Sequence, residues 1–129
     1  MSKKVPSQFF EEILSTKAAR VYPEGLTAFD ILCSDLNIQT LAGKTFLKHS
    51  LQNTALMDGK QQDYGSGNIS AFGTMGVVIR MSDKFERIKN LFKSKRRRAI
   101  NESILDSFTD ISNYAIIAQM LEEKSWPNE

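Results

Sequence analysis

The sequence predicts an all-α protein, a bundle of four or five helices, with completion by a second copy of the chain as the expected assembly. Three observations predict it. In VVIRMSDKFERIKNLFK, the residues Val78, Met81, Phe85, Ile88 and Phe92 step by three and four, the spacing of one helix face. In NESILDSFTDISNYAII, residues 101–117, apolar and acidic side chains both recur at helical spacing. Nowhere does the chain show the period-two alternation of a half-buried strand, and no internal repeat is visible.

The totals bound the class. At 129 residues the chain has single-domain length. Apolar residues at 41% and charged residues at 25% are ordinary for a water-exposed globular fold. A formal charge of +2 does not by itself argue for nucleic acid. The single cysteine, Cys33, excludes an intrachain disulfide and fits a reducing, cytoplasmic compartment. It sits in FDILCSDL among apolar residues, where a small core residue is expected. The opening MSKKVPSQFFEE has no apolar run behind its lysines, so no signal peptide is expected. No stretch approaches the roughly 20 apolar residues of a membrane span.

Along the chain, SQFFEEILSTKAAR, residues 7–20, reads as a short helix with Phe9, Phe10, Ile13 and Leu14 on one side. Tyr22-Pro23-Glu24-Gly25 is a break. TAFDILCSDLNIQTLAGKTFLKHS gives a second helical pattern, which Gly43 is expected to interrupt or end. Residues 52–76 are rich in Gln, Asn, Asp and Ser and hold Gly59, Gly65, Gly67, Gly73 and Gly76, so loop and tight turns are expected there. The amphipathic helix follows, with Arg80, Asp83, Lys84 and Arg87 off its apolar stripe. After it comes KSKRRR, residues 93–98, and then the last helix, expected to reach about Glu123. Trp126 and Pro127 lie beyond it, the tryptophan placed to fold back.

The last helix carries Glu102, Asp106 and Asp110 at every fourth position, where like charges repel. Ile104, Phe108, Ile111, Ala115 and Ala118 form the expected core face. The acids and Asn113 fall opposite, and Ile117 and Leu121 continue that strip. A helix apolar nearly all round in its second half is expected to be buried on two sides, so the acidic strip would open into a groove. Half-buried carboxylates need partners or a cation. Mg²⁺ suits them, because it needs only one or two carboxylates plus waters and substrate phosphates. A solvated acidic face, or pairing with Lys84 and Arg87, is the alternative.

Other polar clusters leave similar choices. QQDYGSGN, residues 61–68, offers Tyr64 for stacking, Asp63 and Asn68 for directed hydrogen bonds, and Gly65 and Gly67 for unusual backbone, or it is plain turn chemistry. Lys84 and Arg87 can reach phosphate, or they pair on the surface with Asp83. Lys93, Lys95, Arg96, Arg97 and Arg98 can face nucleic acid, or form a solvated basic turn. No aromatic residue interleaves them, so nucleic acid is not favoured. His49 is the only histidine, and no Walker-type loop or paired-cysteine motif occurs.

The order KQQDYGSGN, DKFERIKNL, NESILDSFTDISNYAII resembles the nucleotide modification associated domain 1 family, small proteins frequent in bacteriophages. The likeness covers roughly residues 55–122. Its most specific parts are Asp63-Tyr64-Gly65, Lys84 with Arg87-Ile88, and Glu102, Asp106, Asp110 with Asn113-Tyr114. It divides the chain into an N-terminal helical segment, 1–50, without a family match, and a nucleotide modification associated part, 51–129, within one compact domain. The resemblance implies work on nucleotide pools or modified bases, with a nucleotide, and more narrowly a deoxynucleotide, as partner. The helical layout is also similar to the MazG and dimeric dUTPase group of all-α nucleoside triphosphate pyrophosphohydrolases. There, acids on facing helices hold Mg²⁺ at a triphosphate.

By that likeness Glu102, Asp106 and Asp110 are the expected metal ligands and catalytic acids. Their metal would lower the pKa of a water that attacks phosphorus. Lys84 and Arg87 would offset phosphate charge, and Asp63, Tyr64, Gly65, Asn68 and Asn113 would complete the substrate site. The chain departs from that group in one respect. The only candidate for the group's earlier Glu-Glu-x-x-Glu pattern is Glu11-Glu12, with no third acid four residues on; Asp83 and Glu86 are the substitutes available, at a different spacing. The departure keeps two alternatives open: a non-catalytic protein that sequesters a nucleotide, and a basic module that uses residues 93–98 on nucleic acid.

Overall fold

A computed structural model of the protein describes residues 25–94 and 103–127. Within them every regular element is helical. The expected helix at 7–20 and most of the basic run 93–98 lie outside the described residues, as does Glu102. Among the described residues no helix is long and apolar enough to cross a membrane. The described residues up to His49 and those from Ser50 form two compact units.

In the first unit, helix α1 spans Ala28–Asp35. Thr27 caps it: its hydroxyl accepts from the Asp30 N–H at 3.2 Å, while the Thr27 N–H donates to the Asp30 carboxylate at 2.9 Å. Leu32 and Cys33 are its buried residues, so the cysteine packs as a small apolar group. The helix ends in a Schellman turn. Asn37 takes φ +56°, and the Ile38 N–H reaches back to the Cys33 carbonyl at 2.8 Å. A new helix, α2, spans Leu41–Tyr64. Gly43 therefore does not interrupt a helix. It lies in the first turn of α2, where its N–H donates to the Thr40 hydroxyl at 3.0 Å.

The polar stretch expected as loop is helical for most of its length. Residues 52–64 are the second half of α2, a one-turn helix α3 spans Gly67–Ser70, and α4 spans Gly73–Lys93. The turns are confined to Gly65-Ser66 and Ala71-Phe72. Gly65 takes φ +67°, which glycine adopts without steric cost, and its N–H closes on the Gln61 carbonyl at 2.8 Å. The stretch is polar because α2 buries none of its residues fully, not because it lacks structure.

Helix α5 spans Ile104–Glu122 and packs along α4. Contacts pair Thr74 with Glu122, Lys84 with Asp110 and Arg87 with Ser107, so the two helices run antiparallel. A second Schellman turn at Lys124, φ +59°, reverses the chain after α5. Trp126 accordingly returns onto a core of Ile69, Val77 and Ile117, joined by Met57, Met81, Tyr114, Ala118 and Leu121.

Both long C-terminal helices turn only part of the expected face inward, namely Met81 and Ile88 on α4 and Ala118 on α5. On α4 the buried residues are Val77, Ile88 and Leu91, while Val78, Phe85 and Phe92 of the expected stripe are nearly half exposed. On α5 the buried residues are Ser107, Asn113 and Ile117, and Phe108 of the expected core face is 48% exposed. The reason is common to both. The inward faces carry polar groups that bond to one another, so the most apolar strip is not the inward one.

Candidate functional site

Helices α2, α4 and α5, with α3 and the returning Trp126, enclose a cavity of about 560 Å³. From α2, Lys60, Gln61 and Tyr64 line it at positions i, i+1 and i+4, which share one helix face. From α4 come Arg80 and Lys84, again one turn apart. From α5 come Asp110, Asn113, Tyr114 and Ile117, and from α3 Asn68 and Ile69. Among the described residues the wall therefore combines three cations and one carboxylate with three aromatic rings.

The charged groups converge on Asp110. One oxygen accepts from Lys60 Nζ at 3.0 Å and the other from Lys84 Nζ at 2.9 Å. Burial alone would push the Asp110 carboxyl up. The hydrogen bonds from Lys84 and Lys60, with their positive charge, outweigh burial and hold it below the ordinary value of 3.8. The acid is thus ionised at neutral pH and shared between two ammonium groups. Arg80, half-buried on the same wall, makes no hydrogen bond or ion pair with any described residue. A guanidinium of that kind is a ready anion site.

The other end of the cavity is fixed by the Gly65-Ser66 turn. Ser66 is 1% exposed. With the Gln61 amide oxygen facing it, Gln61 accepts from the Ser66 N–H at 3.1 Å and from its hydroxyl at 2.6 Å, and donates to the Gly65 carbonyl at 3.2 Å. Trp126 Nε1 donates to the Ser66 carbonyl at 3.2 Å. One buried serine thus joins the end of α2 to Trp126, sixty residues further along the chain. Asn113 is held in turn by donating to the Asn53 carbonyl at 3.2 Å. The Asn68 side chain makes no hydrogen bond among the described residues and lines the cavity with its amide available.

Of the residues expected at the site, the structure brings together Tyr64, Asn68, Lys84, Asp110 and Asn113. Asp63 is exposed and Gly65 is a helix cap; neither lines the cavity. Arg87 is turned away. Its Nη1 donates to the fully buried Ser107 hydroxyl at 2.6 Å and to the Ser103 carbonyl at 3.2 Å, which ties α4 to the start of α5. Asp106 closes a capping box: its carboxylate accepts from the Ser103 N–H at 3.2 Å, and its own N–H donates to the Ser103 hydroxyl at 3.0 Å. Asp106 and Asp110 also border a smaller hollow of about 270 Å³, with Leu56 and Lys60.

The donor set bears on the expected Mg²⁺. Among the described residues no three Asp, Glu, His or Cys side chains gather as a metal-holding group. Both Asp110 oxygens already face lysine, and Asp106 is engaged in its cap. As arranged, this set suits ammonium groups better than a resident metal.

Sequence reasoning missed Lys60, Gln61 and Tyr114 as lining groups, left Arg80 off the stripe, and gave Trp126 no role at the site. Two signals were present. Arg80 and Lys84 stand at i, i+4, and the Ser-Ile-Leu-Asp run at 103–106 has the capping-box pattern that explains Asp106.

Compared with known families, residues 60–121 match the model described as nucleotide modification associated domain 1. The matched segment contains all four charged lining groups, while Met57 and Trp126 fall outside it. No curated protein and no solved structure matches the chain.

Proposed function

We propose that the cavity binds a nucleotide, a reading supported by the match of residues 60–121 to the nucleotide modification associated domain 1 model. The observation that carries the reading is the company Arg80 keeps. A guanidinium without a partner among the described residues shares one wall with two lysines and with Tyr64, Tyr114 and Trp126. A nucleotide presents the complementary chemistry: phosphate oxygens for the cations, and a flat base for the rings. A volume of about 560 Å³ lies within the usual range for small-molecule pockets, roughly 300–1,000 Å³. In this reading Arg80, Lys60 and Lys84 hold phosphate, Tyr64 and Trp126 flank the base, and Asn68 meets its edge.

The test is direct because Trp126 is the only tryptophan. Titration of the whole protein with nucleotides should change its fluorescence saturably and raise Tm. A panel of ribo- and deoxynucleotides producing neither change would overturn the reading.

Mg²⁺-dependent hydrolysis is the second reading, favoured by Asp106 and Asp110 bordering one hollow beside the lysines. The metal would enter with the nucleotide's phosphates, and the acids would exchange their present bonds for it. Asp106→Asn separates the two. Hydrolysis predicts loss of Mg²⁺-dependent phosphate or pyrophosphate release. Binding without turnover predicts no release from either protein, and nucleotide affinity unchanged.

A further inference from the structure

Trp126 packs on the core of Ile69, Val77 and Ile117 and at the same time lines the cavity. Helix α5 is pinned at its end, where the Thr74 hydroxyl donates to the Glu122 carboxylate at 3.3 Å. The chain then reverses at Lys124, an exposed residue at φ +59°. That left-handed conformation is disfavoured for any residue with a Cβ. Two backbone bonds hold it: the Lys124 N–H donates to the Leu121 carbonyl at 3.1 Å and the Ser125 N–H to the Met120 carbonyl at 2.8 Å. Past Ser125, the one hydrogen bond among the described residues runs from Trp126 Nε1 to the Ser66 carbonyl at 3.2 Å. Neither Lys124 nor Ser125 lines the cavity. Residues 124–127 are thus a short strap, with a strained hinge at its start and a cavity-lining ring beyond it.

We propose that this strap docks and undocks about Lys124, and that a nucleotide in the cavity holds it docked. The inference rests on the nucleotide-binding reading, in which Trp126 flanks the base. That contact exists only while the strap is docked. The ligand therefore binds the docked state more tightly and shifts the population toward it. The coupling is reciprocal. Whatever keeps the strap docked tightens the ligand, and whatever opens it weakens the ligand by the fraction of molecules left competent. The indole bond extends the effect across the site. Its acceptor, Ser66, lies in the turn between Tyr64 and Asn68, and both of those residues line the cavity. An open strap releases that turn as well as one wall. Lys124 sets the docked fraction through its backbone while standing off the cavity wall, so it acts on the ligand only through the strap.

The experiment replaces Lys124 in the full chain by glycine, which takes positive φ freely, and by isoleucine, which resists it. Both substitutions remove the same charge, so comparing them cancels electrostatics. Deuterium exchange of the Trp126 indole N–H, read by NMR, reports strap opening, and the chain's one tryptophan gives one indole resonance. Calorimetric titration with the ribo- and deoxynucleoside 5′-mono- and triphosphates of the common bases reports affinity. Indole exchange should be at least about tenfold faster in Lys124→Ile than in Lys124→Gly. The nucleotides that bind should do so at least about threefold more weakly in Lys124→Ile. At saturation they should slow indole exchange in the wild type at least about fivefold. If Lys124→Ile does not fold, Lys124→Ala takes its place, with the same directions expected. Indole exchange as slow as that of the most protected α4 amides would overturn the proposal, because the ring would then leave only with the whole fold. So would equal indole exchange in the two variants. Equal affinity despite unequal exchange would reduce Trp126 to a packing residue and leave nucleotide binding standing. Failure of every nucleotide to bind the wild type would instead remove the underlying reading, and the coupling with it.

Discussion

Lys84 and Asp110 meet at 2.9 Å, joining the cation that interrupts the inward face of α4 to the acid that interrupts the inward face of α5. Each would be costly to bury alone, and together they set the register of the two helices. Lys60 brings α2 to the same carboxylate at 3.0 Å. One acid therefore ties three helices together and forms part of the cavity wall. Stability and binding share a residue, and their dependence on it should differ in sign.

Replacing Asp110 by Asn removes both charge-assisted bonds while keeping size. The cost should be about 2 kcal/mol, with most of it from Lys84. The Lys84 side chain is 23% exposed, whereas that of Lys60 is 52% exposed and remains largely solvated. Urea unfolding should show the loss, and affinity for a phosphorylated ligand should hold or rise as the lysines are released. A fall in that affinity parallel to the fall in stability would contradict the cationic role of the wall.

The same acid predicts a pH dependence. The folded-state pKa of Asp110 lies below its ordinary value of 3.8. Its contribution is therefore fully present above 3.8 and is lost as pH falls through the folded value. The Tm gap between wild type and Asp110→Asn should be constant near neutrality and close as the solution becomes more acidic than that. A gap that widens in acid would assign the wrong charge state to the site.

Arg87 and Ser107 test a separation of roles. Ser107 is fully buried and accepts from Arg87 at 2.6 Å. Ser107→Ala should cost about 1–3 kcal/mol, because the guanidinium loses its buried acceptor. Nucleotide affinity should stay within about twofold, since an intact wall at Lys60, Arg80 and Lys84 does not depend on that bond. Loss of binding in a folded Ser107→Ala would return Arg87 to the site.

How far the molecule was legible can be followed residue by residue. That 78–92 and 104–121 are helices was legible, because their periodicity is long. Which way they face was not. α4 has two apolar strips that share Met81 and Ile88, one adding Val77 and Leu91, the other, the expected one, adding Val78, Phe85 and Phe92. The first is interleaved with Arg80, Lys84 and Arg87, so hydropathy favours the second. The fold turns the first inward because its cations find Asp110, Ser107 and the cavity. Lys84, Asp110, Tyr64, Asn68 and Asn113 were legible as polar groups worth noting. Lys60 was not, because residues 52–64 were read as loop. Leu, Gln, Ala, Met and Lys in that stretch are sound helix formers, and their propensity outweighs Gly59. Arg80 was hidden by the rotation of α4; Trp126 was expected to fold back, as it does through the reversal at Lys124, but its place on the cavity wall was not legible.

Gly59 and Gly65 turn that misreading into a measurement. Both fall in the stretch of glycine and polar residues, and a Cβ at either would meet nothing within 4 Å. Packing is therefore silent, and only backbone conformation distinguishes them. Gly59 lies inside α2, so Gly59→Ala should stabilise the protein by about 0.5–1 kcal/mol. Gly65 sits at φ +67° as the cap of the same helix. Gly65→Ala should cost about 1 kcal/mol and loosen the Ser66 turn that holds Gln61 and Trp126. A loop over 52–64 would give small effects of the same sign at both positions. Opposite signs in urea midpoints at unchanged slope are the result expected of a helix that runs to Tyr64 and stops there.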